Sequence, residues 1–117
     1  MAENYKYFPV KDLLLKKDLP GVNMWAVTLE NTMLTYFEVD SNFRFESHIH
    51  VSEQITFVLD GELFFEISGE IIKVSSGEVI AIPSNVIHAA YTKERKVKAV
   101  DAWSPPAEKY VNRKSKN

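Results

Sequence analysis

An all-β domain, a sandwich or barrel, is the fold class this sequence predicts, and three observations carry it. Short β-forming stretches follow one another from Val22 onward. Turn signals such as Asp60-Gly61, Ser68-Gly69 and Ser75-Ser76-Gly77 separate them, at the spacing of about eight to twelve residues that marks such folds. Several stretches, Ile55-Thr56-Phe57-Val58-Leu59 among them, are apolar on both alternating faces. One face can fill an interior. The other needs cover from an outer layer or a second subunit, so a homodimer is expected.

Taken in order, residues 1–20 are mixed. Phe8-Pro9 interrupts any helix. The run 10–19 sets Leu13, Leu14 and Leu15 among lysines and aspartates, as one helical turn or as an arm on the body. Pro20-Gly21 turns the chain. Strands are expected at 24–30, 33–39, 43–50, 54–59, 63–67, 71–74, 79–82, 88–91 and 97–103. Asp60-Gly61 reads as a hairpin turn. Ser104-Pro105-Pro106 stops the last strand, and the end of the chain is polar. The expected organisation is a single domain, 1–117, with an arm at 1–20, a barrel at 22–110 and a flexible tail at 111–117.

Bulk properties exclude several functions. At 117 residues the chain has room for one core. Its 45% hydrophobic and 26% charged content argues against disorder. A formal charge of -2 gives no basic surface for nucleic acid or membrane. With no cysteine, any metal must take nitrogen and oxygen ligands. The polar start and the lack of a long apolar run make a cytoplasmic setting the expectation.

The chemistry-bearing stretch is His48-Ile49-His50-Val51-Ser52-Glu53-Gln54, answered by His88; these are the only three histidines. Strand alternation puts His48 and His50 on one face, as two ligands of one metal require. Gln54 follows on the same parity with a carbonyl oxygen. Arg44 shares that parity too, and either clamps a substrate carboxylate or pairs with Glu46 at the barrel mouth. Phe37, Phe57, Phe64 and Phe65 are expected in the core, Trp25 in the core or a dimer interface. Tyr36 and Tyr91 are candidates to line a pocket, against the plainer role of packing.

These stretches resemble the two motifs of the cupin family. The first reads Asn42, His48, His50, Gln54, Gly61 and the second Gly77, Pro83, Asn85, His88, Thr92, with family spacing throughout. Asn42 and Asn85 replace family glycines, and Asn is the residue after glycine most tolerant of positive φ. The resemblance implies a jelly-roll barrel, the cupin double-stranded β-helix, with one divalent transition metal (Ni, Zn, Fe, Mn or Co) at one end. Gln54 stands where the family usually has Glu, which makes the ligand set neutral and favours Lewis-acid chemistry on an anionic substrate over oxidation.

Glu53-Gln54 with Asp101-Ala102-Trp103-Ser104-Pro105-Pro106 resembles more narrowly the KdgF-type cupins. These linearise 4,5-unsaturated monouronates from pectin or alginate. The resemblance implies Asp101 as the proton-transfer residue and Trp103 as a wall of the sugar pocket. The family arginine six residues after that aspartate is Ala107 here. The expected function is therefore a metal-dependent, isomerase-type enzyme acting on a small anionic sugar. A cupin dioxygenase and a non-catalytic sugar- or metal-binding module are the alternatives.

Overall fold

The structure, a computed structural model, describes residues 4–115. A 3-10 turn, Val10–Asp12, precedes the strands β1 Lys16–Leu19, β2 Val22–Thr28, β3 Met33–Val39, β4 Arg44–His48, β5 Glu53–Asp60, β6 Glu62–Ile67, β7 Glu70–Ser75, β8 Val79–Ile82, β9 His88–Tyr91 and β10 Val97–Ser104. A helix, α1 Glu108–Ser115, follows. The strands form a six-stranded sheet in the order β1-β2-β3-β10-β5-β8 and a four-stranded sheet in the order β4-β9-β6-β7. No helix among the described residues is long and apolar enough to cross a membrane.

Alternation makes the core. On β3 the inward residues are Met33, Thr35, Phe37 and Val39, and on β10 they are Val97, Ala99, Asp101 and Trp103. On β5 they are Gln54, Thr56 and Val58. Two buried clusters result. One gathers Met24, Met33, Phe37, Trp103 and Tyr110, and the other Val58, Leu63, Phe65, Ile82 and Val97. Antiparallel register lines the strands up in rows: Phe37–Ala99–Val58 is apolar, whereas Thr35–Asp101–Thr56 is polar. The polar row marks one end of the inner face.

The outer face of the six-stranded sheet carries Trp25 stacked on Tyr36 at 5.5 Å, with Leu34, Ile55 and Phe57 exposed. Phe57, expected in the core, is 37% exposed because its parity is that of Ile55 and Leu59. Phe37 and Phe65 are in the core clusters as expected, whereas Phe64, though buried, is in neither and stacks on Tyr91.

Other elements differ from the sequence reading. Asp60-Gly61 does not close a hairpin: β5 and β6 lie in different sheets, and the turn carries the chain between them. Gly61 has φ +89°, and a Cβ there would press on the Lys96 carbonyl oxygen. The run 10–19 holds both the 3-10 turn and the edge strand β1, which pairs antiparallel with β2. Helix α1 occupies most of the stretch expected to be a tail, while residues 1–3 and 116–117 lie outside the described residues.

Candidate metal centre

Strand β4 delivers the first histidine through an irregularity. Arg44 pairs with Tyr91 and Phe45 with Ala90, but His48 then pairs with His88, one residue out of step. The extra residue of this bulge turns the following side chain over. Phe45 and His48, three apart, therefore both line the internal cavity. His50 lies beyond the end of β4, in the turn before β5, and so reaches inward from a loop rather than by strand alternation. His88 opens β9 opposite His48, with ring centroids 4.3 Å apart. One ligand nitrogen from each of the three histidines lies within 4.8 Å of the others. Three histidines are thus placed to hold a metal ion.

Their protons are fixed by backbone. His48 Nδ1 donates to the Glu46 carbonyl at 2.7 Å, His50 Nδ1 to that of Ser52 at 2.8 Å and His88 Nδ1 to that of Val86 at 2.9 Å. A carbonyl only accepts, so each neutral ring carries its proton on Nδ1 and leaves Nε2 with a lone pair. Burial holds the His48 and His88 pKa values below the ordinary imidazole range; the charges of Lys109 and His50 add to the effect at His48. Buried His88 Nε2 has no hydrogen-bond partner. An orphaned buried acceptor costs roughly 1–3 kcal/mol, so a nitrogen left this way in a cluster of like nitrogens fits a cation.

Gln54 lies beside the histidines. It is 6% exposed, and its Oε1 lies 3.1 Å from His50 Nε2. Two acceptors face each other there, which a shared cation resolves. The Gln54 amide nitrogen donates to Thr56 Oγ1 at 2.9 Å. Ser52 supports His50 in turn: its hydroxyl donates to the Pro105 carbonyl at 2.6 Å and pins the loop to the end of β10.

The cavity lies between the two core clusters and has a volume of about 50 Å³. Asp101 lines it and is 8% exposed. Burial raises its carboxyl from 3.8 to about 7, against a hydrogen bond from Thr56 that pulls the other way; its Oδ1 has no partner. Trp103 walls the cavity, its ring 5.3 Å from that of His50 and its Nε1 donating to Thr35 Oγ1 at 2.9 Å. Tyr110 packs beside it at 5.5 Å, and its hydroxyl pKa is raised by burial and by Asp101.

The structure does not bring the other expected residues here. Arg44 lies before the bulge and faces outward, donating to both Glu66 oxygens, at 3.2 and 2.9 Å, and to Glu46 at 3.3 Å. Of its two readings, the ion pair is the one the structure holds. Tyr91, the cross-strand partner of Arg44, stacks on Phe64 outside the four-stranded sheet. Tyr36 lies outside the six-stranded sheet and donates to Glu38 at 2.7 Å. Each has the parity opposite to a cavity residue next to it, Ala90 for Tyr91 and Phe37 for Tyr36. Ala107 is buried in the core, so a packing residue fills the position of the family arginine.

Sequence reading missed Ser52, Thr56 and Lys109. Thr56 shares the parity of Gln54 but shows its role only once β5 is registered on β10. Lys109 sits in the first turn of α1, its Nζ 4.9 Å from the Tyr110 ring centre. The residue as a whole is exposed, and desolvation by the surrounding protein lowers its pKa. Among the described residues the ion pairs involve Arg44, Lys73 and Arg95, and Lys109 is in none of them.

The cupin-domain family model matches residues 35–103, more than half of the chain, and the protein belongs to the cupin family. In fold it is similar to KdgF from Halomonas sp., at 21% identity and TM-score 0.83, over 91% of this chain and 98% of that one. It is also similar to an RmlC-like cupin from Shewanella frigidimarina, at 20% identity and TM-score 0.81, over 94% and 97% of the two chains. The polyketide cyclase RemF from Streptomyces resistomycificus follows at 22% identity and TM-score 0.74, over 87% and 80%. No curated protein sequence matches.

Asp101 makes the site pH-sensitive. Its folded pKa, about 7, lies above the ordinary 3.8. Between those values the unfolded chain has released a proton that the folded chain keeps, so this group's stabilising contribution falls as pH rises. At about 1.4 kcal/mol per pH unit the loss reaches roughly 4 kcal/mol. His48 and His88 contribute with the opposite sign, and they cancel when metal-free wild type is compared with Asp101→Asn. The stability difference should shift toward the asparagine variant by up to roughly 4 kcal/mol from about pH 4 to about pH 8. Urea unfolding across that range measures it, and a difference independent of pH contradicts the assignment.

Proposed function

We propose that this cupin is a metal-dependent enzyme that linearises 4,5-unsaturated monouronates, small anionic sugars released from pectin or alginate. The observation that carries the reading is a buried carboxyl, Asp101, sharing one small cavity with a neutral three-histidine and amide set. The motif resemblance to the KdgF type supports the choice of substrate.

His48, His50 and His88 would hold one divalent ion (Ni, Zn, Fe, Mn or Co), with Gln54 as the fourth ligand. When bound, the ion supplies Lewis-acid polarisation of a substrate oxygen, undiminished by any anionic ligand. The chain's own residues do the rest. A cavity of about 50 Å³ admits one end of a six-carbon acid and leaves the remainder at the mouth. Lys109, whose charge acts on His48, would meet the carboxylate, and Trp103, a wall of the cavity, would pack on the ring.

The reaction is an isomerisation, balanced without a co-reactant. The anomeric hydroxyl loses its proton, and the bond from C1 to the ring oxygen breaks to leave an aldehyde at C1. The former ring oxygen becomes an enol oxygen on C5, and C4 takes up a proton to give the ketone. Asp101 accepts the first proton and returns one to the enol system. In the metal-free protein burial holds this carboxyl near pKa 7, and its place in the cavity makes it the group to accept and return the proton.

The exposed apolar face of the six-stranded sheet supports a homodimer. Leu34, Ile55 and Phe57 lie on β3 and β5, the two strands that flank β10, on the same sheet as the Trp25–Tyr36 stack. Two copies pairing there would cover the second apolar face noted in the sequence.

Loss of the ultraviolet absorbance of the conjugated double bond follows the reaction. Metal-loaded wild type should consume an unsaturated monouronate, and Asp101→Asn should lower kcat by roughly 10²–10⁴. Lys109→Ala should raise KM about tenfold with kcat little changed. A wild-type rate no greater than buffer contradicts the reading. Analytical ultracentrifugation should show a two-copy mass at micromolar concentration that Phe57→Asp reduces to one; a wild-type monomer contradicts the dimer.

A further inference from the structure

The side-chain amide of Gln54 has two unlike ends. Its carbonyl oxygen can bind a cation, and its NH2 repels one. Whichever end faces the histidine nitrogens decides whether the residue is a ligand at all. Oε1 faces them, 3.1 Å from His50 Nε2. Yet His50 Nδ1 already donates to the Ser52 carbonyl, so Nε2 of the neutral ring is an acceptor. Within the histidine set alone, the opposite orientation suits His50 better, because an NH2 would donate to that nitrogen. The orientation is therefore set from the other side of the amide.

That side is Thr56. It is 1% exposed, lies on the same face of β5 as Gln54, and accepts from the Gln54 amide nitrogen at 2.9 Å. Asp101 is its register partner on β10, so the two side chains lie side by side on the inner face, and Thr56 acts on the Asp101 carboxyl in the sense of a donor, pulling its pKa down. A hydroxyl has one proton to give. Directed to the Asp101 carboxylate, that proton points away from Gln54, so with Asp101 ionised the oxygen can only accept, and the end of Gln54 turned toward it must be the NH2.

We propose that Thr56 is a positioning residue that selects the carbonyl end of Gln54 for the metal, through a one-way hydrogen-bond chain from Gln54 to Thr56 to Asp101. The inference rests on the metal reading above. It makes the proton-transfer residue part of the support of the metal ligand, so the two functional groups of the cavity share one hydroxyl. It also accounts for how a residue with two unlike ends can replace a glutamate, whose two ends are alike: the glutamine needs a neighbour to tell its ends apart.

The test uses Co²⁺ as the probe, with affinity measured by competition against a chromophoric chelator and thermal unfolding as the check on folding. Thr56→Val should weaken Co²⁺ binding by roughly 10–100-fold, the usual effect of removing a group that orients a ligand. Thr56→Ser, which keeps the hydroxyl, should bind within about twofold of wild type. In a Gln54→Glu background the amide choice no longer exists, and adding Thr56→Val should change Co²⁺ affinity by less than about twofold. Thr56→Ala takes the place of Thr56→Val should valine prevent folding. A folded Thr56→Val protein that binds Co²⁺ as tightly as wild type overturns the inference and leaves the metal reading standing. An equal loss in the Gln54→Glu background also overturns it, since the effect is then general to the site. A wild type that binds no Co²⁺ overturns both.

Discussion

Three backbone carbonyls, those of Glu46, Ser52 and Val86, hold the Nδ1 protons of the three histidines, and the rest of the site depends on that constraint. It leaves three Nε2 lone pairs converging on one point without a charged ligand among them. Convergence alone would be unfavourable, since acceptors that face one another offer each other no donor. The arrangement is held because each ring is anchored at its far nitrogen by a segment that the fold fixes independently. Bulged β4, the Ser52 loop tied to the end of β10, and the turn that enters β9 each supply one anchor.

The six-stranded sheet supplies the other half of the site. Its inner face is apolar along most of its length and polar in the row Thr35–Asp101–Thr56, with Trp103 and Gln54 in the next row. Register thus brings the carboxyl into the row next to the Gln54 amide. In the metal-free protein no charged partner acts on Asp101, and burial dominates its pKa. In the proposed reading the charge that meets an anionic substrate comes from Lys109, in the first turn of α1, whose charge already acts on His48.

Much of this was legible in the sequence, and what was missed was missed for identifiable reasons. The all-β class and most strand positions followed from alternation and turns. The clustering of the three histidines followed from spacing, as did the place of Gln54 beside them. Positive φ at Asn42 and Asn85, 56° and 62°, matches the reading of both as glycine substitutes. Arg44 was misplaced because parity was carried unbroken along 43–50, whereas one extra residue between Phe45 and His48 reverses the face. Tyr36 and Tyr91 were ambiguous because both faces of their strands are apolar, and alternation cannot then say which one is inside. Thr56 and Lys109 depend on cross-strand register and on the return of α1 over the core, neither of which a local pattern contains. Edge strand β1 was undecidable locally because its four residues, Lys-Lys-Asp-Leu, carry no alternation of their own.

The central claim is that three histidines present bare Nε2 atoms, fixed by their Nδ1 hydrogen bonds, to one cation. Long-range proton–nitrogen correlation NMR of the imidazole rings reads this directly. The account predicts three neutral rings protonated at Nδ1 in the metal-free protein above pH 7, and a shift of all three Nε2 resonances, together, on adding one equivalent of Zn²⁺. Any of the three rings protonated at Nε2, or Nε2 resonances that Zn²⁺ leaves unmoved, would contradict it.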